Sequence, residues 1–126
     1  MKYALSLILF IGLFIPMAVQ ADHHESKGFR HIVFFKFKDG TTDAQTKEIV
    51  DAFVALKGKI DGITDFEWGP SESIEELNDE FTHCFVATFK DKAALEAYLP
   101  HPAHQEFVSL LKPKLDKVFV FDYNPK

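Results

Sequence analysis

Two kinds of hydrophobic spacing alternate along the chain after residue 28, and their order predicts the fold. Apolar side chains that crowd both odd and even positions predict covered strands, whereas apolar positions three and four residues apart predict helices. The predicted strands are residues 30–38, 63–68, 81–89 and 117–123, and the predicted helices are residues 42–59, 91–99 and 102–111. This order predicts an α+β domain of ferredoxin-like βαββαβ topology with one antiparallel four-stranded sheet.

Local signals mark where these elements begin and end. Thr42 with Gln45 three residues later forms a capping box, Asp91 can cap the second helix, and Pro102 suits the first position of the third. The acidic segment 71–80 is predicted to be a loop or a frayed helical turn. We expect Trp68, at a strand end, to seal the core.

The helices can cover only one face of the sheet, yet several strands are apolar on both faces, as in residues 118–121. The chain also holds 14 Phe, which need a core, a pocket or an interface. A second copy of the same sheet is the simplest cover for the other face, so the sequence predicts a homodimer.

The first 21 residues have the pattern of a secretory signal peptide. Lys2 precedes an almost purely apolar run, residues 4–19, and small residues at Val19 and Ala21 suit cleavage after Ala21. We therefore expect an exported protein, periplasmic or secreted, with no membrane attachment after cleavage. The alternative is an uncleaved membrane anchor, although the run falls short of about 20 residues.

Cleavage would leave a flexible leader, residues 22–28, followed by one domain over residues 29–126. This new N-terminus could hold Cu(II) or Ni(II) in a square plane through His23 and His24. The ligands would be the free amine, the amide nitrogens and the imidazole of the third residue. Alternatively, the two histidines could be incidental. Cys84 is the only cysteine, which excludes an intramolecular disulfide and a cysteine-based zinc site.

Charge and motifs exclude several functions. Lys and Arg number 14 against 19 Asp and Glu, a net charge of −5, so nucleic acid is not an expected partner. The chain has no glycine-rich phosphate loop, no nucleophile elbow and no His-Glu-x-x-His motif. We predict no cofactor.

The residues that could carry chemistry are mostly histidines. His104 shares an apolar helix face with Phe107, where it could act as a general base or simply pack. Tyr98 lies one helix break away and could orient a substrate oxygen, or leave its hydroxyl in solvent. The antiparallel first and last strands bring His31 near Asp122, either as an oriented imidazole or as an exposed ion pair.

Several stretches together resemble the stress-responsive A/B-barrel (Dabb) family of dimeric α+β barrels. The resemblance covers about residues 29–125, and it is carried by the opening strand at 30–38 and four further segments. These are Trp68-Gly69, Phe81-Thr82-His83, His101-Pro102-Ala103-His104 and Phe121-Asp122-Tyr123.

The resemblance implies a ferredoxin-like protomer that dimerises sheet to sheet. Some plant members are polyketide cyclases that close a linear poly-β-keto thioester without a cofactor. In them, the histidine that matches His104 acts as the general base, and the tyrosine that matches Tyr98 assists it. Polar residues matching His31, His83 and Asp122 surround that pocket, and a Tyr occupies the position that matches Phe53. In this chain we expect Phe53 and Phe107 to line the pocket as well.

Three functions follow as hypotheses. The first is an exported homodimer that binds a small apolar or aromatic molecule in a His-lined pocket. The second is a cofactor-free cyclase or isomerase that uses His104 as general base. The third is a structural stress-response protein without a ligand.

Overall fold

The computed structural model describes residues 27–126 and confirms the predicted order of elements. The signal peptide, His23 and His24 lie outside the described residues. Within the described part of the chain, no helix is long and apolar enough to cross a membrane. The strands are β1 (Phe29–Phe37), β2 (Ile63–Pro70), β3 (His83–Phe89) and β4 (Leu115–Tyr123), and the helices are α1 (Asp43–Ala55), α2 (Lys92–Tyr98) and α3 (Pro102–Leu111), with 3₁₀ turns at Leu56–Gly58 and Lys112–Lys114.

The four strands form one antiparallel sheet in the order β2-β3-β1-β4, which is the ferredoxin-like arrangement. Its register fixes which side chains are neighbours. His31 of β1 lies opposite Asp122 of β4 and Ala87 of β3, while Phe35 lies opposite His83. The two strand histidines therefore stand at opposite ends of the sheet.

The helices begin where the sequence signals indicate. The Thr42 hydroxyl accepts from the Gln45 amide at 3.2 Å, and the Gln45 side chain accepts from the Thr42 amide at 3.0 Å. The Asp91 carboxylate accepts from the amide of Ala94 at 2.8 Å. These bonds satisfy amides that a helix start leaves without partners.

The core lies between the helices and one face of the sheet. Phe35, Phe85 and Phe89 are at most 1% exposed. Phe53 of α1 stacks on Phe107 of α3 with ring centroids 4.4 Å apart, which ties the two helices together over the sheet. Burying each such side chain contributes about 1.5–3 kcal/mol.

The opposite face of the sheet, called the outer face below, is covered by none of the helices in residues 27–126. On β4 it presents Phe119, Phe121 and Tyr123, which are 51%, 55% and 40% exposed. Ile32 and Phe34 of β1 lie beside them, opposite Phe121 and Phe119. The expected second apolar face is therefore present on the protomer surface.

Trp68 does not seal the core, contrary to expectation. It lies on the edge strand β2 and is 44% exposed. An edge strand has a neighbour on one side only, so the indole packs against β3, near Phe85 and His83, and leaves its other side open.

Candidate functional site

A cleft of about 420 Å³ opens between the helices and the β1–β4 side of the sheet. It exists because the helices cover β1 and β3 while β4, at the sheet edge, extends past them. Val118 and Val120, on the helix side of β4, are each 47% exposed. The cleft is lined by His31, Val33, Phe35, Phe53, Leu95, Tyr98, Leu99, His104, Phe107, Val108, Leu111, Lys112, Leu115, Val118, Val120 and Asp122.

His104 is held by the junction between α2 and α3. Pro102 occupies the first turn of α3, and the ring of His101 accepts from the Ala103 amide at 3.0 Å. The carbonyl of Leu99 can only accept, so the ring bond at 2.9 Å is donated by His104 Nδ1. The free lone pair of the neutral imidazole is therefore on Nε2.

Burial lowers the pKa of His104, and the nearby His31 and His101 lower it further against the opposing effect of the Leu99 carbonyl. The imidazole is thus neutral at pH 7 and can accept a proton. This combination of a fixed tautomer and a lowered pKa is what a general base needs.

Tyr98 is 1% exposed, and its ring lies 4.2 Å from that of His104 between centroids. Within residues 27–126 its hydroxyl has no hydrogen-bond partner, and none of the buried side-chain polar atoms there is left unsatisfied. The hydroxyl oxygen must therefore touch the open cleft. Burial raises the pKa of this phenol well above its usual range, so it remains a neutral hydrogen-bond donor.

His31 and Asp122 form the predicted pair. Nδ1 of the imidazole lies 2.6 Å from the Asp122 carboxylate, and His31 is only 7% exposed. Because the carboxylate can only accept, Nδ1 of His31 donates this hydrogen bond. The centroid of the His31 ring lies 6.0 Å from that of Tyr98, so both histidines lie beside the same tyrosine ring.

Apart from Lys112, the rest of the cleft is apolar. Phe53 is 2% exposed and lies at the back, stacked between Phe107 and Phe35. The helix face predicted from the spacing of His104 and Phe107 lines the cleft along its length. The polar side chains of His31, Tyr98, His104 and Asp122 therefore lie together at one end of a largely apolar cleft.

The structure does not bring His83 into this cleft. Because β1 and β3 run antiparallel, a histidine at the start of each strand falls at opposite ends of the sheet. His83 packs between Trp68 and Phe37 and lines a different cavity of about 410 Å³ beneath the β2–β3 connection. Burial lowers its pKa.

Residues 27–126 contain no group of three or more His, Cys, Asp or Glu placed to hold a metal ion. His101, which caps α3, is the site residue that sequence spacing missed. Its position immediately before a proline at the helix start is the signal that could have found it.

The sequence profile of the stress-responsive A/B-barrel domain matches residues 29–125. The chain belongs to the stress-responsive A/B-barrel (Dabb) family. Among its relatives, the stress-response A/B barrel domain-containing protein HS1 of Arabidopsis thaliana is 39% identical over 102 residues, which is 80% of this chain and 94% of that protein. Olivetolic acid cyclase of Cannabis sativa is 31% identical over 97 residues, which is 77% of this chain and 96% of the cyclase.

Solved structures share the fold of this Dabb protein. Hydroxynitrile lyase from Passiflora edulis superposes with a TM-score of 0.75 at 25% identity, covering 80% of this chain and 95% of the lyase. A dimeric ferredoxin-like protein from Jannaschia sp. has a TM-score of 0.65 at 29% identity, covering 77% of this chain and 98% of that one. The dimeric neighbour supports the homodimer predicted from the apolar outer face.

Proposed function

We propose that this Dabb protein binds a small, largely apolar molecule that carries a carbonyl or hydroxyl group. The proposal rests on the Tyr98 hydroxyl, a neutral donor that faces an apolar cleft and has no hydrogen-bond partner among the described residues. A polar group of this kind is stabilised when a ligand supplies the missing hydrogen bond. Cleft volume and the mixture of many apolar and few polar groups are typical of small-molecule sites.

The polar end defines what the ligand must offer. Tyr98 donates, so the ligand needs an acceptor such as a carbonyl or hydroxyl oxygen. Nε2 of His104 accepts, so a second ligand group should donate. A hydroxylated aromatic ring or an enolisable carbonyl compound with an aliphatic tail satisfies both requirements.

Isothermal titration calorimetry with olivetolic acid as the probe tests binding. Wild type should bind, and Tyr98→Phe should weaken binding by about tenfold, since a lost hydrogen bond in a closed site is worth roughly 1.4 kcal/mol. Tyr123→Phe removes a hydroxyl from the outer face and should leave affinity unchanged. Equal affinities for all three proteins would place the probe outside the cleft, and no binding at all would favour a structural role without a ligand.

A second candidate function is cofactor-free acid–base catalysis, which the His104 tautomer favours. Nε2 of His104 would remove an acidic proton while Tyr98 hydrogen-bonds to the substrate oxygen. In a hydroxynitrile, loss of the hydroxyl proton forms the C=O bond as the bond to the nitrile carbon breaks, and the released cyanide takes the proton back. In a poly-β-keto chain, His104 removes the proton between two carbonyls and the enolate carbon attacks a further carbonyl. The C=O π bond of that carbonyl breaks, and its oxygen takes the proton back from His104.

Mandelonitrile cleavage, followed by benzaldehyde absorbance, tests the catalytic candidate. Wild type should exceed the buffer rate, and His104→Gln should lower kcat by a factor of about 10²–10⁴. His83→Gln serves as the control and should keep the wild-type rate, because it removes an imidazole that lies outside the cleft. A His104→Gln protein with the wild-type rate would show that His104 is not the base.

We also propose that the working form is an exported homodimer joined through the outer faces. The dimeric neighbour and the exposed Phe119 and Phe121 support the dimer, and the apolar run at residues 4–19 supports export. Intact mass of the protein recovered from the periplasm of an expressing bacterium should correspond to a chain beginning at Asp22. A full-length mass in the membrane fraction would instead indicate a retained anchor.

A further inference from the structure

One cation lies among the residues of the cleft that faces α3. Along α3 and its C-cap, the side chains that line the cleft occupy positions i, i+3, i+4, i+7 and i+8, which share one face of a helix. They are His104, Phe107, Val108, Leu111 and Lys112. This helix face therefore begins with an imidazole, continues with apolar side chains and ends with an ammonium group.

The ammonium group of Lys112 forms no ion pair with any residue in 27–126. The nearest carboxylate after it along the chain, Asp116, lies 3.2 Å from Lys36 instead. Asp39 and Asp43 lie before and at the start of α1, at the same end of the fold, but neither lines the cleft. Lys112 is exposed and lines the cleft, so its charge is available to a molecule that enters there.

The other end of the cleft has the opposite character. Asp122 is the single carboxylate among the described residues that line the cleft, and it lies 2.6 Å from Nδ1 of His31. A ligand carboxylate placed beside Asp122 would meet a like charge, whereas one placed beside Lys112 meets an opposite charge. The cleft therefore favours one orientation of an acid, with the carboxylate at Lys112 and the remaining polar group near Tyr98.

The span between the two ends follows from helix geometry. His104 and Lys112 are eight positions apart in the sequence, which is about 12 Å along the helix axis at about 1.5 Å per residue. The cleft between them is lined by apolar side chains, with Leu111 on α3 and Val118 and Val120 across from it on β4. The long stem of a lysine can lie along such a surface and bring its ammonium group to a bound molecule. A ligand that reaches both ends therefore needs an apolar chain between its acid and its second polar group.

We propose that the ligand of this cleft is an organic acid, an aliphatic carboxylate whose charged group binds Lys112 and whose distal hydroxyl or carbonyl oxygen accepts from Tyr98. This inference rests on the function proposed above and narrows its ligand to anions. The competing role of Lys112 is structural, because a lysine at a helix end interacts favourably with the helix dipole and covers apolar surface with its stem. Only the binding role distinguishes a charged ligand from an uncharged one of the same length.

Isothermal titration calorimetry at pH 7 with 10-hydroxydecanoic acid and 1,10-decanediol tests the inference, since the two probes differ only in one end group. Wild type should bind the acid about three- to tenfold more tightly than the diol, and added salt should weaken only the acid. Lys112→Met keeps an apolar stem without the charge and should bind the acid no more tightly than the diol. Lys114→Met is the control and should keep the wild-type preference, because Lys114 is a neighbouring cation that does not line the cleft.

A structural role of Lys112 would leave the acid-to-diol affinity ratio of Lys112→Met equal to that of wild type, and this result would overturn the inference. Equal affinities of wild type for the two probes would also overturn it, while the function proposed above would stand. If wild type binds neither probe but binds olivetolic acid, the chain-like acid is refuted alone; if olivetolic acid also fails to bind, the proposed function fails with it. Urea midpoints show whether each variant is folded, and the wild-type ratio with its salt dependence tests the inference without any variant.

Discussion

Tyr98→Phe is the substitution whose effect on stability and on binding should differ most. The hydroxyl that it removes has no hydrogen-bond partner in residues 27–126, so no protein bond is lost. We therefore expect the free energy of unfolding to change by less than about 0.5 kcal/mol, against about 0.5–1.5 kcal/mol for a bonded hydroxyl. The ring, in contrast, contributes to the stability of the fold. Its centroid lies 5.0 Å from that of Phe89 and 4.2 Å from that of His104, and the residue is 1% exposed. Tyr98→Ala should cost about 3–5 kcal/mol.

Urea unfolding measured by far-UV circular dichroism gives the stability of wild type, Tyr98→Phe and Tyr98→Ala. The same proteins are then titrated with olivetolic acid. We expect Tyr98→Phe to unfold like wild type but to bind the probe about tenfold more weakly. A stability loss above about 1.5 kcal/mol in Tyr98→Phe would show that the hydroxyl has a structural partner, and would remove the observation on which the proposed function depends.

Three further predictions concern other parts of the fold. Asp122→Ala leaves the buried Nδ1–H of His31 without its acceptor and should lower the free energy of unfolding in urea by about 1–3 kcal/mol. Asp51→Ala is the control: it removes only an exposed pair with Lys47 and should lower the free energy of unfolding by less than about 0.5 kcal/mol. Burial lowers the pKa of His104 and of His83, so the unfolded chain takes up protons at a higher pH than the folded chain does. The free energy of unfolding should therefore be largest above about pH 6.5 and should decrease as the pH drops below that value. In His104→Gln the decrease should be smaller. Gly62→Ala should lower the thermal midpoint, because φ is +98° and the added Cβ would lie 3.0 Å from Ala94, while Gly58→Ala, with open space around it, should not.

Local rules determined most of the fold. The capping box at Thr42, the cap at Asp91 and the proline at position 102 depend only on residues a few positions apart, and the structure confirms each. Strand order followed from topology, and with it the pairing of His31 with Asp122, because antiparallel neighbours have a fixed register once their direction is known.

The site itself depends on packing over long sequence distances. The spacing of apolar residues predicted that His104 lies on an apolar helix face. It could not show that the His104 ring packs against the Tyr98 ring, because that contact depends on the angle between α2 and α3. Nor could spacing show that Trp68 is exposed, since that outcome depends on which strand lies at the sheet edge.

The sequence by itself therefore determined the elements, their order and the two apolar faces of the sheet. Only the tertiary structure decided that one polar group, the Tyr98 hydroxyl, faces an open cleft without a partner among the described residues. Secondary structure follows from short-range periodicity and capping, whereas the satisfaction of a buried polar atom depends on every element that packs around it.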